Sequence, residues 1–179
     1  AVGAAVQTGL NSGEWSFVNF TTAGGHFLVI ANGVDAVRNY NGTAWTTPAI
    51  TGVSPSSLKA VHSHKARLWY LEANSTKVWY GEPQSIAGPH TAIQVGEQLS
   101  MGGHLVAIGS VSRDGGKGGS DDLLVMISSR GQVVVYEGDD PTSANTWQRL
   151  GVFYASPPVG GKCLVQIGGD LGILTESGL

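Results

Sequence analysis

The sequence predicts an all-β chain of β-propeller type, with four-stranded antiparallel blades, about three and a half of them present. Three observations predict it. A hairpin pattern recurs along the chain. Each copy closes on an aromatic residue before a glycine turn. Gly accounts for 27 of 179 residues, about twice the average share. The glycines fall between short apolar runs, as tight turns joining strands require. No sustained 3.6-residue periodicity competes with this pattern, so helices should be few.

The first blade covers residues 15–46. It opens with a strand over Trp15–Thr21. The run Phe27–Gly33 ends in Asn-Gly, a strong hairpin signal. A second run, Val34–Tyr40, closes at Asn41-Gly42, and Thr43–Thr46 supplies the outer strand. The second blade, 58–95, repeats this order with Leu58–His64, Arg67–Glu72, a turn at Ala73–Ser75, Thr76–Tyr80 closed by Gly81, and Ala92–Val95. The third, 103–154, uses Gly103–Val111, Leu123–Ser128, a turn at Ser129–Gly131, Gln132–Tyr136 closed by Glu137-Gly138, and Thr146–Tyr154. The fourth, 162–179, is incomplete: Lys162–Ile167, then Asp170–Thr175 and a turn at Glu176–Gly178. Tyr40, Tyr80 and Tyr136 are expected at the same place in three copies, about 40 to 56 residues apart, the period of a propeller blade. Trp45 and Trp147 follow equivalent closing turns and are expected to share a structural role. A β-sandwich gives short strands at regular spacing but no four-strand units with a shared closing motif.

The chain reads as a single domain, 1–179. A closed ring needs at least four blades. The expectation is therefore a fragment of a longer protein, or a ring whose next strand comes from elsewhere in the sequence or from another subunit. A four-stranded sheet apolar on both faces must be covered on both. Val29, Leu68, Trp69, Val125, Ile127, Val133, Val135 and Ile173 are the expected filling between blades. Each fully buried one contributes about 1.5–3 kcal/mol.

Composition excludes several classes. Hydrophobic residues make up 41% and charged residues 13%, which is not the composition of a disordered chain. Net charge is −3 and no basic cluster occurs, so no footprint for sequence-specific nucleic-acid binding is visible. The single cysteine, Cys163, excludes an intrachain disulfide. No apolar run is long enough to span a membrane. Residues Ala1–Leu10 lack the charged and long apolar regions of a signal peptide.

Candidate sites are few. Asp114, Asp121 and Asp122 flank a glycine-rich segment and are the hard oxygen ligands that calcium takes, at a spacing that matches no EF-hand or repeat calcium motif. A phosphate loop fails as well, because Val111 stands where its first glycine is needed. The segment is expected to be a loop between the first and second strands of its blade. His62 and His64 lie two apart on a strand, so they share a face and could hold a metal, with no third ligand assignable. His26, His90 and His104 sit near glycine turns. Cys163 lies in an apolar strand, as a small buried hydrophobe does. Glycoside hydrolysis needs two convergent carboxylates, and Glu72, Glu82, Glu137, Asp139, Asp140 and Glu176 lie mostly at turns. No Gly-x-Ser-x-Gly elbow occurs. Trp45, Trp69, Trp79 and Trp147 could stack on sugars, but blade-edge or core roles are the expectation. Asn19, Asn41 and Asn74 head Asn-x-Ser/Thr triplets and read as turn chemistry. The sequence therefore gives no catalytic residue, no cofactor site and no enzyme motif.

Five segments carry a resemblance: Tyr40–Gly52, His64–Tyr70, Asp121–Gly131, Val135–Pro141 and Gly168–Gly178. Across Tyr40–Leu179 the chain resembles a family of tailed-phage virion proteins, the tail hub, nozzle and packaged-DNA stabilisation group with propeller domains. The resemblance implies a non-enzymatic structural subunit in a homo-oligomeric ring around a DNA exit channel. It implies a protein made in the bacterial host cytoplasm and carried in the virion, with other tail subunits as partners. The segments Arg113–Asp122 and Glu137–Asn145 would then meet neighbouring subunits or line the passage. Two other classes stay open: a carbohydrate- or receptor-binding propeller for host attachment, and a propeller glycosidase or lyase.

Overall fold

The computed structural model describes residues 7–114 and 120–179, with side chains described for all of these except 113, 114, 120 and 121. The described residues hold sixteen strands, two short 3-10 turns and no α-helix. Strands β1 (Ser16–Thr22), β2 (Gly25–Ala31), β3 (Arg38–Tyr40) and β4 (Trp45–Thr46) form the first antiparallel sheet in sequence order. Strands β6 (Leu58–His64), β7 (Arg67–Glu72), β8 (Lys77–Tyr80) and β10 (Thr91–Gln94) form the second. Strands β11 (Leu105–Asp114), β12 (Ser120–Ser128), β13 (Gln132–Gly138) and β14 (Trp147–Tyr154) form the third. A hairpin of β15 (Leu164–Ile167) and β16 (Asp170–Ile173) follows. Strands β5 (Ile50–Thr51) and β9 (Gly88–Pro89) add a short parallel pair that the sequence pattern does not reveal. Among the described residues no sheet closes on itself.

The sheets stack face on face, and the two-residue period of a strand explains how. In β7, Leu68 and Tyr70 join a core with Phe20, Val29, Ala31 and Val37 of the first unit. The intervening Trp69 and Leu71 join a second core with Leu105, Leu124, Met126, Val134 and Tyr136 of the third. In the third sheet, Val125, Ile127, Val133 and Val135 face the other way, toward Cys163, Leu164, Leu171 and Ile173. Antiparallel sheets usually leave one face to solvent and show alternating polarity. Here β7 and β13 each carry five successive buried residues, because a sheet lies on both sides. The expected filling residues are all buried except Ile173, which is half-buried. The first strands make the closest contacts between units: β1 with β6, β6 with β11, and β11 with β15 and β16.

Three expectations are corrected. The run Val34–Tyr40 is a strand only from Arg38 onward. The Asn32 side-chain carbonyl accepts the N–H groups of Val34 and Asp35 at 2.9 and 2.7 Å, an Asx turn that holds the chain in a wide loop. Gly33, at φ +76, sends its N–H to Leu58 of the next sheet instead of closing a tight hairpin. The loop expected over Asp114–Asp122 is shorter, since β11 extends to Asp114 and β12 begins at Ser120.

The third correction concerns the closing tyrosines, which do not share a face. Tyr136 faces the second sheet with its partner Leu124. Tyr40 is paired with Leu28, on the side of the first sheet away from the second. Tyr80 is paired with Trp69 and faces forward to the third sheet. In the second sheet the backward-facing aromatic is Trp79, opposite Tyr70. Register, fixed one residue differently in β8, moves the side chain to the opposite face.

The β6–β7 hairpin turns on Lys65 and Ala66, at φ 47 and 57. Both centres of such a turn need the left-handed region that glycine occupies without strain. Ala66→Gly should raise stability by about 0.5–1 kcal/mol in urea unfolding. Met126→Ala, at a fully buried site, should lower it by about 2–4 kcal/mol, while Val34→Ala, 55% exposed, should stay within about 0.5 kcal/mol of the parent.

Candidate functional site

The richest chemistry lies in the seam between the second and third sheets. His62 and His64 both point from β6 toward β11, as their two-residue spacing requires. His62 Nε2 and His64 Nδ1 each stand 2.8 Å from the Ser110 hydroxyl oxygen. One hydroxyl has one proton to give. With both rings neutral, one imidazole donates to Ser110 Oγ and the other accepts its proton. Burial pushes both imidazoles down to about 4, and for His64 the neighbouring charges of His62 and Lys65 act in the same direction. His64 Nε2 is buried without a protein partner.

Beside this trio lies an aromatic stack. Trp147 is sandwiched between Trp69 at 5.2 Å and 17° and Tyr136 at 5.3 Å and 14°. Tyr80 packs on the far side of Trp69 at 5.2 Å. The His64 ring meets both indoles edge-on, at 6.3 and 6.5 Å. Trp147 therefore joins two sheets and has no free face for a sugar. Trp45 differs: it is half-buried and meets only Tyr40, at 5.2 Å, on the outer side of the first sheet. A shallow depression of about 390 Å³ lies on that side, bordered by Asn19, Thr21, His26, Tyr40 and Asn41.

Ion pairs pin the same seam. Arg67, nearly buried, donates to the Gly81 carbonyl at 3.0 Å and to Asp140 at 3.4 Å, with Glu82 at 4.0 Å. Its guanidinium lies 5.8 Å from the Tyr80 ring centre. Lys65 reaches Asp139 at 3.1 Å. The Asp140 carboxyl is held below its ordinary value, first by the Thr142 N–H and hydroxyl and only last by Arg67. An open cleft of about 260 Å³ lies alongside, lined by Lys65, Asp122, Glu137, Asp139, Asn145 and Gln148.

Asp122 accepts a 2.7 Å bond from Ser112 and borders the cleft. The Asp114 and Asp121 side chains lie outside the described residues. No group of three His, Cys, Asp or Glu side chains among the described residues is placed to hold a metal ion. The His62 and Ser110 distance is that of a nucleophile and its base, yet no described carboxylate bonds either imidazole to orient it. Glu72 is used by the Trp79 indole N–H at 3.1 Å and by Ser75. His90 is buried against Tyr70, with its Nδ1 at 3.1 Å from the Gly88 carbonyl. Cys163 is fully buried, and burial raises its thiol. Ser110, Lys65 and Arg67 were missed by sequence reasoning. Ser110 acts on residues 48 and 46 positions away and Arg67 on one 73 away, and no local pattern carries such distances.

The histidines make stability depend on pH with a definite sign. Their folded values lie below the unfolded value of about 6.5. The unfolded chain therefore binds more protons between these limits, and stability is lost as pH falls from about 6.5 to about 4. Urea midpoints should fall over that window in the parent, and the slope should flatten in the double variant His62→Gln, His64→Gln. Comparison with protein-family models, with curated proteins and with solved structures finds no match for this chain.

Proposed function

We propose that this chain is a run of propeller blades serving as a non-enzymatic structural subunit of a phage tail, in a homo-oligomeric ring of the nozzle or hub type. The observation that carries the blade reading is the series of three four-stranded meanders stacked through their first strands. Sequential meanders packed in this order are how propeller blades are built. The step to a tail rests on the resemblance of Tyr40–Gly52, His64–Tyr70, Asp121–Gly131, Val135–Pro141 and Gly168–Gly178 to tailed-phage virion proteins. The seam supports a mechanical role, because its charged and aromatic groups are engaged in joining sheets. The mild negative charge suits a passage that should not grip DNA, since positive charge would hold phosphates.

Host attachment through carbohydrate is the second reading, and one observation favours it: the half-exposed Tyr40–Trp45 pair, whose Tyr40 borders the depression on the first sheet. Electron microscopy of the purified protein separates the two. Closed rings with a central passage are the expected result. Monomers that bind a glycan array saturably, and lose that binding in Trp45→Ala, would replace the tail reading with the attachment reading.

A further inference from the structure

Asn-Gly is the dipeptide in which a chain can attack itself. Glycine has no Cβ to shield its main-chain nitrogen, so that nitrogen reaches the preceding side-chain amide carbon and closes an imide ring. The sequence holds this pair twice, at Asn32-Gly33 and Asn41-Gly42. Both asparagines make the same turn. The Asn41 side-chain oxygen accepts the N–H groups of Thr43 and Ala44 at 2.9 and 2.8 Å, just as that of Asn32 accepts those of Val34 and Asp35. Their surroundings set them apart. Asn32 is 5% exposed. Its amide nitrogen donates to the Asp35 carboxylate at 2.8 Å, and the Gly33 N–H donates to the Leu58 carbonyl at 2.8 Å. Attack by Gly33 would break the bond to Leu58, and loss of the amide would break the bond to Asp35. Asn41 and Gly42 are both exposed, between β3 and β4. Among the described residues no partner holds the Asn41 amide nitrogen or the Gly42 N–H. Nothing lies within 4 Å of where a Gly42 Cβ would stand.

We propose that Asn41 is a site of spontaneous deamidation in the folded protein, while the fold keeps Asn32 intact. A solvent base takes the Gly42 amide proton as the Gly42 nitrogen bonds to the Asn41 side-chain carbon. The negative charge that develops on the side-chain oxygen stays under the Thr43 and Ala44 N–H groups, which already point at it. The bond to the side-chain nitrogen then breaks, and that nitrogen leaves as ammonia with a proton from water. Water opens the resulting imide at either carbonyl. One opening leaves aspartate, and the other leaves isoaspartate, with the side chain taken into the main chain. Nothing is oxidised or reduced. Either product puts a new carboxylate on the rim of the depression that Asn19, Thr21, His26 and Tyr40 share with Asn41. Isoaspartate also lengthens the link between Tyr40 and Trp45, where the Tyr40 hydroxyl donates to the Gly42 carbonyl at 2.8 Å. The site depends on neither the tail reading nor the attachment reading.

The test is incubation of the whole chain in neutral and mildly alkaline buffer, with and without urea, followed by peptide mapping with mass spectrometry. The exchange of amide nitrogen for oxygen is read at each asparagine. In the folded protein Asn41 is expected to convert at least about tenfold faster than Asn32. It should yield both aspartate and isoaspartate, and faster as pH rises. In urea, where the bonds to Leu58 and Asp35 are gone, the two asparagines should convert at similar rates. Asn41→Asp supplies the standard for the aspartate product. Gly42→Ala should slow conversion of Asn41 by about tenfold or more, because the methyl group crowds the attacking nitrogen. The unfolding curve of that variant checks its fold, and the comparison of Asn41 with Asn32 in the parent decides without it. An intact Asn41 in the folded chain, equal conversion of Asn32, or undiminished conversion in a folded Gly42→Ala variant overturns the proposal.

Discussion

The structure depends on covering both faces of each sheet. A strand alternates its side chains, so Leu68 and Tyr70 belong to one core while Trp69 and Leu71 belong to another. Neither core is complete within a single sheet. The second sheet is stable only between the first and the third, and its loss would expose two cores at once. This makes neighbouring units the currency of stability, as in other stacked repeats. Phe17, on the outer face of the first sheet, and Val165 and Ile167, on the outer face of the β15–β16 hairpin, are exposed.

The seam between the second and third sheets adds specificity to this burial. Apolar faces alone tolerate sliding, whereas the polar trio does not. A one-residue slip of β11 would set Gly109 or Val111 against the two imidazoles in place of Ser110, leaving buried ring nitrogens without a partner. An unpaired buried polar group costs about 1–3 kcal/mol. The Trp69–Trp147–Tyr136 stack works in the same direction, since its rings overlap only in one register. Arg67 and Lys65 then tie the β6–β7 turn region to the Asp139–Asp140 turn after β13. The acid sensitivity expected of the histidines follows from this placement, since burial favours their neutral form.

Much of the fold was legible because its signals are local. Short apolar runs and the Asn-Gly and other glycine turns between them act within a few residues, and their recurrence places strands in each unit. The misreadings have physical causes. Asn32-Gly33 carries a tight-hairpin signal, but the Asn32 side chain competes with the strand by binding the backbone of Val34 and Asp35. Tyr80 was matched to Tyr40 and Tyr136 by its position before a glycine, yet the face of a strand residue depends on register, which that position does not encode. The site was less legible. His62 and His64 were recognised as sharing a face, but the partner that occupies them, Ser110, lies in another sheet and looks like any residue of an apolar strand.

The way polar groups are used bears on what the chain does. A site built for chemistry keeps reactive groups unspent and aimed at a space where a substrate can sit. In this seam Arg67 is spent on a carbonyl and on Asp140, Lys65 on Asp139, Glu72 on an indole, and Ser110 on two imidazoles. Each of those bonds joins strands, turns or whole sheets. The remaining groups are mixed: Glu137, Asn145 and Gln148 line the open cleft, while Phe17 and Phe153 are exposed apolar side chains. The bonds of the seam serve packing, so the second and third sheets are held in one register by polar as well as apolar contacts.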